Sequence, residues 1–358
     1  MRLLAVIATG VALLGAAPAP PAPTPGTPSA PAAATWAVAP STVKGPNGRP
    51  AFTYKLDPGA TLTDHVAVTN HSSRPLTLHL YASDAFTTAQ GGFDLLPGDQ
   101  QPTDTGSWVR LPRRTLTIPS TSRLIVPFTL TVPNDATPGD HAAGIVASLA
   151  ATTSDAQGKQ VAVDHRVGAR IYLRVTGDLR PALWVEDLRV RHTGSLNPLA
   201  GGTLTATFTV RNTGNVRLTG RPALAVTGPF GLGRRAVDAA ALPEILPGGA
   251  LTTTVRLTGV PPLFRLTATA AVTPAAVGDQ VLDPPPAVDT ARVALWAVPW
   301  PQLALITLIA LAGWALVAAR RRRARQLARA LAAAREQGRT EASRDSQQTS
   351  GPPPSLPL

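Results

Sequence analysis

The sequence predicts an all-β protein: two tandem Ig-like β-sandwich domains followed by one transmembrane helix. From Trp36 to about Pro274, apolar and polar residues alternate over strand lengths, without any sustained helical periodicity. The chain has 37 prolines and 30 glycines in 358 residues, a content typical of short strands joined by turns. A charge-free segment from Val293 to Ala319 is long enough to cross a bilayer.

Composition excludes several classes of function. The chain has no cysteine, which removes disulfides, thiolate nucleophiles and cysteine-ligated metal centres. The net charge is +12, but nine arginines lie in the last 39 residues and the body of the protein is nearly neutral. We therefore expect no nucleic-acid partner.

The N-terminus predicts export. One arginine, a short apolar run and small residues over positions 1–17 have the pattern of a signal peptide, and an uncleaved N-terminal anchor is the alternative. Residues 18–35 are rich in proline and alanine and read as a spacer.

Strand-like segments with turn signals between them fill the body of the chain. The clearest are His65–Thr69, Leu76–Leu80, Leu124–Leu130 and Ile171–Val175. We expect an Ig-like domain at residues 36–177 and a second Ig-like sandwich at 181–274, with the boundary near Gly177–Pro181.

An internal repeat supports two copies of one plan, with chance similarity of threonine-rich strands as the alternative. The segment Thr61–Asn70 aligns with Thr203–Asn212, and Leu76-Thr77 continues the match as Leu218-Thr219. A second echo pairs Ile118-Pro119 with Leu246-Pro247, each followed after the same interval by a proline, Pro133 and Pro261.

The C-terminal part predicts a membrane anchor. Residues 275–296 read as a proline-rich stalk, 297–319 as the transmembrane helix and 320–358 as a basic cytoplasmic tail. The residues expected to anchor the chain at the two membrane surfaces are Trp296, Trp300, Arg320, Arg321, Arg322, Arg323 and Arg325. This order places a large N-terminal region outside a single-pass plasma-membrane protein.

The region 36–176 resembles the peptidoglycan-binding domain of the WxL-interacting protein family. The segments that carry the resemblance are Leu56–Gly59, Val68–Asn70, Tyr81–Asp84, Gly91-Gly92, Trp108, Val132–His141, Gly144-Ile145 and Val167–Tyr172. The resemblance implies a membrane-anchored protein of the Gram-positive envelope that binds peptidoglycan and a partner surface protein. The second domain does not match that family's second module, and the composition suggests an actinobacterial source.

The residues themselves indicate a binding protein and no enzyme. No catalytic triad motif, phosphate-binding loop or metal-ligand spacing occurs, so we expect no cofactor and no metal. Aromatic and carboxylate residues suited to a glycan site are Tyr81, Asp84, Phe86, Trp108 and Asp140, with Phe86–Thr105 as a recognition loop. We therefore expect binding of peptidoglycan or another cell-wall polymer, a surface protein, or both. The alternative is a protein-binding spacer in an envelope complex, without glycan affinity.

Overall fold

The structure is a computed structural model that describes residues 34–154, 160–278, 280–283 and 285–348. The predicted signal peptide and nearly all of the predicted spacer lie outside the described residues. The described chain is mostly β, with Ig-like sheet packing and a long C-terminal helix, as the sequence predicted.

The first half of the body forms two sheets around one core, which we call the N-terminal sheet pair (Trp36–Val175). One sheet has the strand order β2-β1-β4-β9-β7, and the other has the order β3-β11-β10-β5-β6, with β8 also paired to β5. The strands are β1 (Trp36–Thr42), β2 (Gly45–Pro46), β3 (Phe52–Leu56), β4 (Thr61–Asn70), β5 (Leu76–Thr87), β6 (Phe93–Leu95), β7 (Val109–Arg110), β8 (Thr115–Ile118), β9 (Arg123–Thr131), β10 (Gly139–Ser154) and β11 (Gln160–Val175).

A single short helix, α1 (Thr105–Trp108), interrupts the strands of this half. Trp108 ends α1, and β7 begins at the next residue. The core between the sheets contains Phe52 and Phe128, whose rings meet edge to face at 5.1 Å. Alternating burial along the strands produces this core, as the period-two pattern predicted.

The second half forms the C-terminal sheet pair (Leu183–Ala297), with its own core around Phe208. Its sheets have the orders β12-β13-β16 and β15-β14-β17-β18. The strands are β12 (Leu183–Thr193), β13 (Gly202–Asn212), β14 (Leu218–Thr227), β15 (Arg235–Asp238), β16 (Ala250–Val260), β17 (Phe264–Ala276) and β18 (Asp289–Ala297).

Strand β18 corrects the predicted stalk. Residues Asp289–Ala297 pair with β17 in regular antiparallel register and complete the second core, instead of forming a free segment above the membrane. Their alternation is partly hidden in the sequence, since the later outward positions, Ala294 and Trp296, carry little polar contrast with the inward Val293 and Leu295. The sheet pair therefore extends to residue 297, beyond the boundary expected at 274.

Helix α2 (Trp300–Gln348) follows β18 after two residues. It begins at Trp300 instead of residue 297, because the residues up to Ala297 are held in the sheet by β17. Within the described residues it is the one helix long and apolar enough to cross a membrane, and none of its apolar window is buried. Trp296 lies at the end of β18, Trp300 starts the helix, and the basic run lies further along it.

The aligned asparagines, Asn70 and Asn212, are buried and make the same set of side-chain hydrogen bonds in both sheet pairs, which we call the lock. Asn70 donates to the carbonyl oxygens of Arg74 and Ile118, at 2.8 and 3.1 Å, and accepts from the Ser72 N–H. Asn212 likewise donates to the carbonyls of Val216 and Ile245, at 2.7 and 3.0 Å, and accepts from the Gly214 N–H. The repeated asparagine turn is thus a structural element of both sheet pairs. The second sequence match, of Ile118-Pro119 with Leu246-Pro247, is displaced in the strand pairing.

That shift is one residue. Leu76 pairs with Ile118, and Leu218 forms its bridge with Ile245 instead of Leu246.

Candidate functional site

Asp84, one of the five residues expected to bind a ligand, is used by the fold. Its carboxylate accepts three backbone N–H bonds, from Thr103 at 2.6 Å, Asp104 at 2.9 Å and Gly106 at 2.6 Å. The side chain is buried and holds the segment that leads into α1. The carboxylate oxygens of Asp84 are therefore occupied by hydrogen bonds from the backbone.

Trp108 and the neighbouring His141 form a second part of this arrangement. The imidazole lies 4.9 Å from the Trp108 ring, between centroids. Its Nδ1 is 2.8 Å from a carboxylate oxygen of Asp104, and its Nε2 is 2.8 Å from the Thr137 carbonyl oxygen. Because both partners only accept hydrogen bonds, both ring nitrogens carry a proton, and the geometry selects the imidazolium.

The pKa of His141 follows the same geometry. Burial alone lowers the pKa of the imidazole, but the hydrogen bonds to Asp104 and to the Thr137 carbonyl outweigh it and raise the pKa above its usual value. The sequence gives no local signal of this pair, because the Asp104 carboxylate lies 37 residues away from His141.

Asp140 joins the two sheet pairs. Its carboxylate accepts hydrogen bonds from Nε and Nη2 of Arg174, both at 2.7 Å. It also accepts a hydrogen bond from the backbone N–H of Arg217 at 2.8 Å. Arg217 belongs to the C-terminal half, at the turn before β14, so the bond spans the junction. The bidentate contact with Arg174 lies within the N-terminal sheet pair and orients the Asp140 carboxylate toward the Arg217 N–H.

Further contacts extend the junction. The Arg217 guanidinium lies 4.0 Å from the Tyr172 ring centroid and donates to Glu244 at 3.1 Å, and Tyr172 donates to the same carboxylate at 3.1 Å. Asp140 N–H bonds the Asn215 carbonyl at 2.7 Å. Gly139 lacks a side chain where a Cβ would collide with that carbonyl, and its φ is +126°.

A cavity of about 510 Å³ opens beside this network. Its lining includes Lys55, Asp140, Tyr172, Arg174, Arg217 and Gln280. The Arg174 guanidinium binds the Asp140 carboxylate and the Gln280 amide oxygen, and the Arg217 guanidinium binds the Glu244 carboxylate. This network of Asp140, Tyr172, Arg174, Arg217 and Glu244 therefore connects the two sheet pairs, and we call it the joint.

Tyr81 and Phe86 lie apart from the joint. The Tyr81 ring contacts His79 at 5.6 Å between centroids, and burial raises the pKa of its hydroxyl. Phe86 is exposed near the end of β5. The structure brings Asp84, Trp108 and Asp140 into one neighbourhood through Asp104 and His141, and it does not add the other two.

The expected recognition loop is also partly regular structure. Phe93–Leu95 returns as β6 against β5, so the free segment is shorter than the predicted Phe86–Thr105. Leu95 covers Gly144 and Gly168 on the outer face of β10 and β11, where a Cβ at Gly144 would meet its methyl group at 2.5 Å.

The hairpin of β10 and β11 projects beyond its sheet. Strand β5 pairs with β10 only as far as Ser148, and β3 pairs with β11 only from Ile171. In the described part of the chain, Ala150–Ser154 and Gln160–Asp164 therefore pair with each other alone. We call these two segments the ribbon.

Two arginines lie at the base of the ribbon on β11. Arg166 donates to the Leu95 carbonyl at 3.1 Å, and the Arg170 guanidinium lies 4.5 Å from the Phe93 ring centroid. A cavity of about 440 Å³ between them is bordered by Asp94, Asp164 and His165. Across the described residues, no group of three histidines or carboxylates could hold a metal ion.

Comparison with known proteins identifies no family for this chain. No family model matches the chain, and no curated protein matches it. Among solved structures, it is similar to the class 5 fimbriae chaperone CfaA, with a TM-score of 0.33, 12% identity, and coverage of 74% of this chain and 100% of that one.

Two further solved structures that contain chaperones are also similar. The CsuC–CsuE chaperone–tip adhesin complex of Acinetobacter baumannii matches with a TM-score of 0.33 at 11% identity, covering 66% of this chain and 93% of that one. The CupB2 chaperone of Pseudomonas aeruginosa matches with a TM-score of 0.28 at 10% identity, covering 69% and 99%. Likeness at this level supports no conclusion about this chain's role or partners.

These findings overturn the resemblance stated above. The WxL-interacting family is the wrong assignment, since no family model matches the chain. The expected function, a peptidoglycan-binding anchor of the Gram-positive envelope, is wrong with it. The residues that suggested it have structural tasks: Asn70 locks a turn, Gly144 and Gly168 admit Leu95, and Asp140 builds the joint.

Proposed function

We propose that this chain is a membrane-anchored protein-binding module that captures a partner protein through the ribbon. The observation that carries the proposal is the unpaired backbone on both outer edges of Ala150–Ser154 and Gln160–Asp164. An isolated two-stranded ribbon is only marginally stable in water, and exposed edges are templates for strand addition. A partner strand along either edge would satisfy these N–H and C=O groups.

Charge and shape at the ribbon's base support a protein partner. Arg166 and Arg170 present cations beside the exposed Asp164 and His165, so both signs of charge are available within one short stretch of β11. Mixed charge beside main-chain bonding groups suits a polypeptide, whose side chains alternate along an added strand.

The joint supports the proposal because it makes the body rigid. Asp140, Arg174 and Arg217 tie two bodies that we propose to be separate domains, residues 36–177 and 181–297. We propose that both lie outside the membrane, with α2 crossing it and the arginines from Arg320 to Arg325 on the cytoplasmic side. The partner would then meet the ribbon at a fixed distance from the bilayer.

Site-directed cross-linking tests this function. Since the chain lacks cysteine, Asp164→Cys places one photoreactive label on the ribbon, and Arg256→Cys places a matched label on an exposed position of β16. In membranes of the producing cells, we expect a discrete cross-linked protein from position 164 and none from position 256. Equal labelling from both positions, or none from 164, contradicts the proposal.

A shortened hairpin provides the second arm. Replacing Ala150–Asp164 by Asn-Gly joins Leu149 to His165, which already face each other across the hairpin. We expect the unfolding transition of the N-terminal sheet pair to be kept and co-purification of the cross-linked protein to be lost. Retained co-purification would place the partner elsewhere.

A further inference from the structure

The C-terminal sheet pair has two ends with different surroundings. Strand register defines one of these ends. In one sheet Thr193 faces Thr203 and Gly202 faces Val260, and in the other Phe264 faces Ala297, with Thr227 at the same end of β14. The opposite end carries Asn215, Arg217 and Glu244, which contact the N-terminal sheet pair. Helix α2 leaves from the first end, which we call the helix end.

Apolar side chains are unusually exposed at the helix end. In the turn between β12 and β13, Leu196 and Leu199 are 96% and 92% exposed, and in the turn after β14 Phe230 is fully exposed. Leu232, Phe264 and Trp296 are also more than half exposed. Single exposed apolar residues are ordinary, but a set of this size on adjacent loops marks an interaction surface.

Two of these residues are held in a disfavoured backbone conformation. Phe230 and Phe264 have φ values of 57° and 63°, in the left-handed region that bulky residues avoid. Each ring nevertheless points to solvent. Strain kept at an exposed aromatic tip indicates a use that packing does not provide.

The charge of the helix end has one sign. Arg234, Arg235 and Arg265 are exposed beside the apolar loops. The segments 193–203, 227–236, 259–266 and 295–303 contain no aspartate or glutamate. Arginine beside exposed leucine, phenylalanine and tryptophan is the composition of surfaces that lie in a membrane interface.

The connection to the helix leaves little freedom. Only Val298 and Pro299 separate β18 from α2, and the Trp300 N–H bonds the Val298 carbonyl at 3.0 Å. The Gln302 side-chain amide donates to the Pro198 carbonyl at 2.9 Å, which ties the first turn of α2 to the loop that carries Leu196 and Leu199. A membrane around α2 would therefore meet the helix end directly.

From these observations we infer that the helix end of the C-terminal sheet pair docks on the bilayer, with Leu196, Leu199 and Phe230 inserted among the lipid headgroups. Arg234 and Arg235 then face lipid phosphates. This inference rests on the proposed membrane anchoring by α2. It assigns the second sheet pair a role of its own, which is to hold the body upright on the membrane.

Depth-dependent quenching in vesicles tests the inference. We place single cysteines with the fluorophore NBD at Leu199 and Phe230 in the full chain, reconstituted in phosphatidylcholine and phosphatidylglycerol. Trp184→Cys is the matched control, an exposed aromatic at the opposite end of the same sheet pair, 55% exposed. We expect blue-shifted emission and several-fold stronger quenching by headgroup-proximal doxyl lipid at positions 199 and 230 than at 184.

The remaining arms separate the possible failures. Gly313→Cys lies within the apolar part of α2 and reports on the anchor by quenching from a deep doxyl lipid. If position 313 is quenched and positions 199 and 230 behave like 184, docking is wrong and the anchor stands. If 313 is not quenched, the anchor fails and the inference fails with it.

Two further results bear on the occupant of the surface. A blue shift at 199 and 230 without doxyl quenching would indicate that protein, including a second copy of this chain, covers the helix end, and it would overturn lipid docking. Replacing Arg234 and Arg235 by Gln should reduce quenching at 230 to its level in vesicles without phosphatidylglycerol. Unchanged quenching would contradict a role for lipid phosphates.

Discussion

The two sheet pairs share one lock and differ at their ends. Asn70 and Asn212 make matching bonds to a carbonyl four residues on and to a carbonyl distant in the sequence, that of Ile118 or Ile245. The N-terminal sheet pair then adds the ribbon, while the C-terminal sheet pair adds β18 and the exposed apolar loops beside α2. One scaffold thus carries two kinds of surface.

The difference teaches where variation is permitted. The lock and the alternating core restrict the middle of each sheet pair, since a buried amide must keep its partners and a core strand its register. Strand ends and hairpin tips lie in solvent and tolerate change. We therefore look for function at the ribbon and the helix end, and for stability at the two asparagines and the joint.

The largest expected effect comes from breaking the joint. Asp140→Ala leaves Arg174 and Arg217 partly buried without their shared carboxylate, which we expect to cost about 3–5 kcal/mol in the unfolding of the full chain. Glu186→Ala, which removes an exposed ion pair with Arg211, should cost at most about 1 kcal/mol.

Denaturant unfolding in detergent measures both variants. We also expect the two sheet pairs of Asp140→Ala to unfold in separate transitions, because the Asp140 carboxylate no longer binds Arg217 across the junction. A loss as small as that of Glu186→Ala would show that the joint does not couple the halves.

The next effect compares the two locks. Asn70→Ala and Asn212→Ala each leave buried carbonyl groups without a hydrogen-bond donor, one substitution in each sheet pair. We expect each to lower the free energy of unfolding by about 2–4 kcal/mol. Asn47→Ala, in an exposed turn, is the control and should cost less than about 1 kcal/mol. Thermal unfolding resolves these changes, and a large loss from one asparagine with none from the other would break the equivalence.

The smallest effect is a pH dependence confined to the N-terminal sheet pair. The folded pKa of His141 is raised, so its stabilising contribution is fully present below about pH 6.5 and is lost as the pH rises through the folded pKa. His141→Gln should remove this decline from plots of unfolding free energy against pH, and exposed His71→Gln should keep it. Identical slopes for wild type and His141→Gln would contradict an imidazolium in the folded state.

The sequence by itself determined the β class, the membrane-length helix and the repeated asparagine turn. These are local properties: alternation, apolar length and a short motif are readable from neighbours in the chain. The helix start was placed three residues early and β18 was missed, because Asp289–Ala297 shows a strand only when β17 lies beside it. The outward Ala294 and Trp296 hide part of that alternation.

Only the tertiary structure decided what the predicted site residues do. Asp84, Trp108 and Asp140 looked like ligand-binding groups, yet the partners of Asp84 lie about 20 residues away and Asp140 meets Arg217 77 residues away. The ribbon and the helix end were likewise invisible, since an edge is open only relative to the strands that stop short of it. Partners distant in sequence are set by sheet register and packing, and a single sequence carries no direct signal of either.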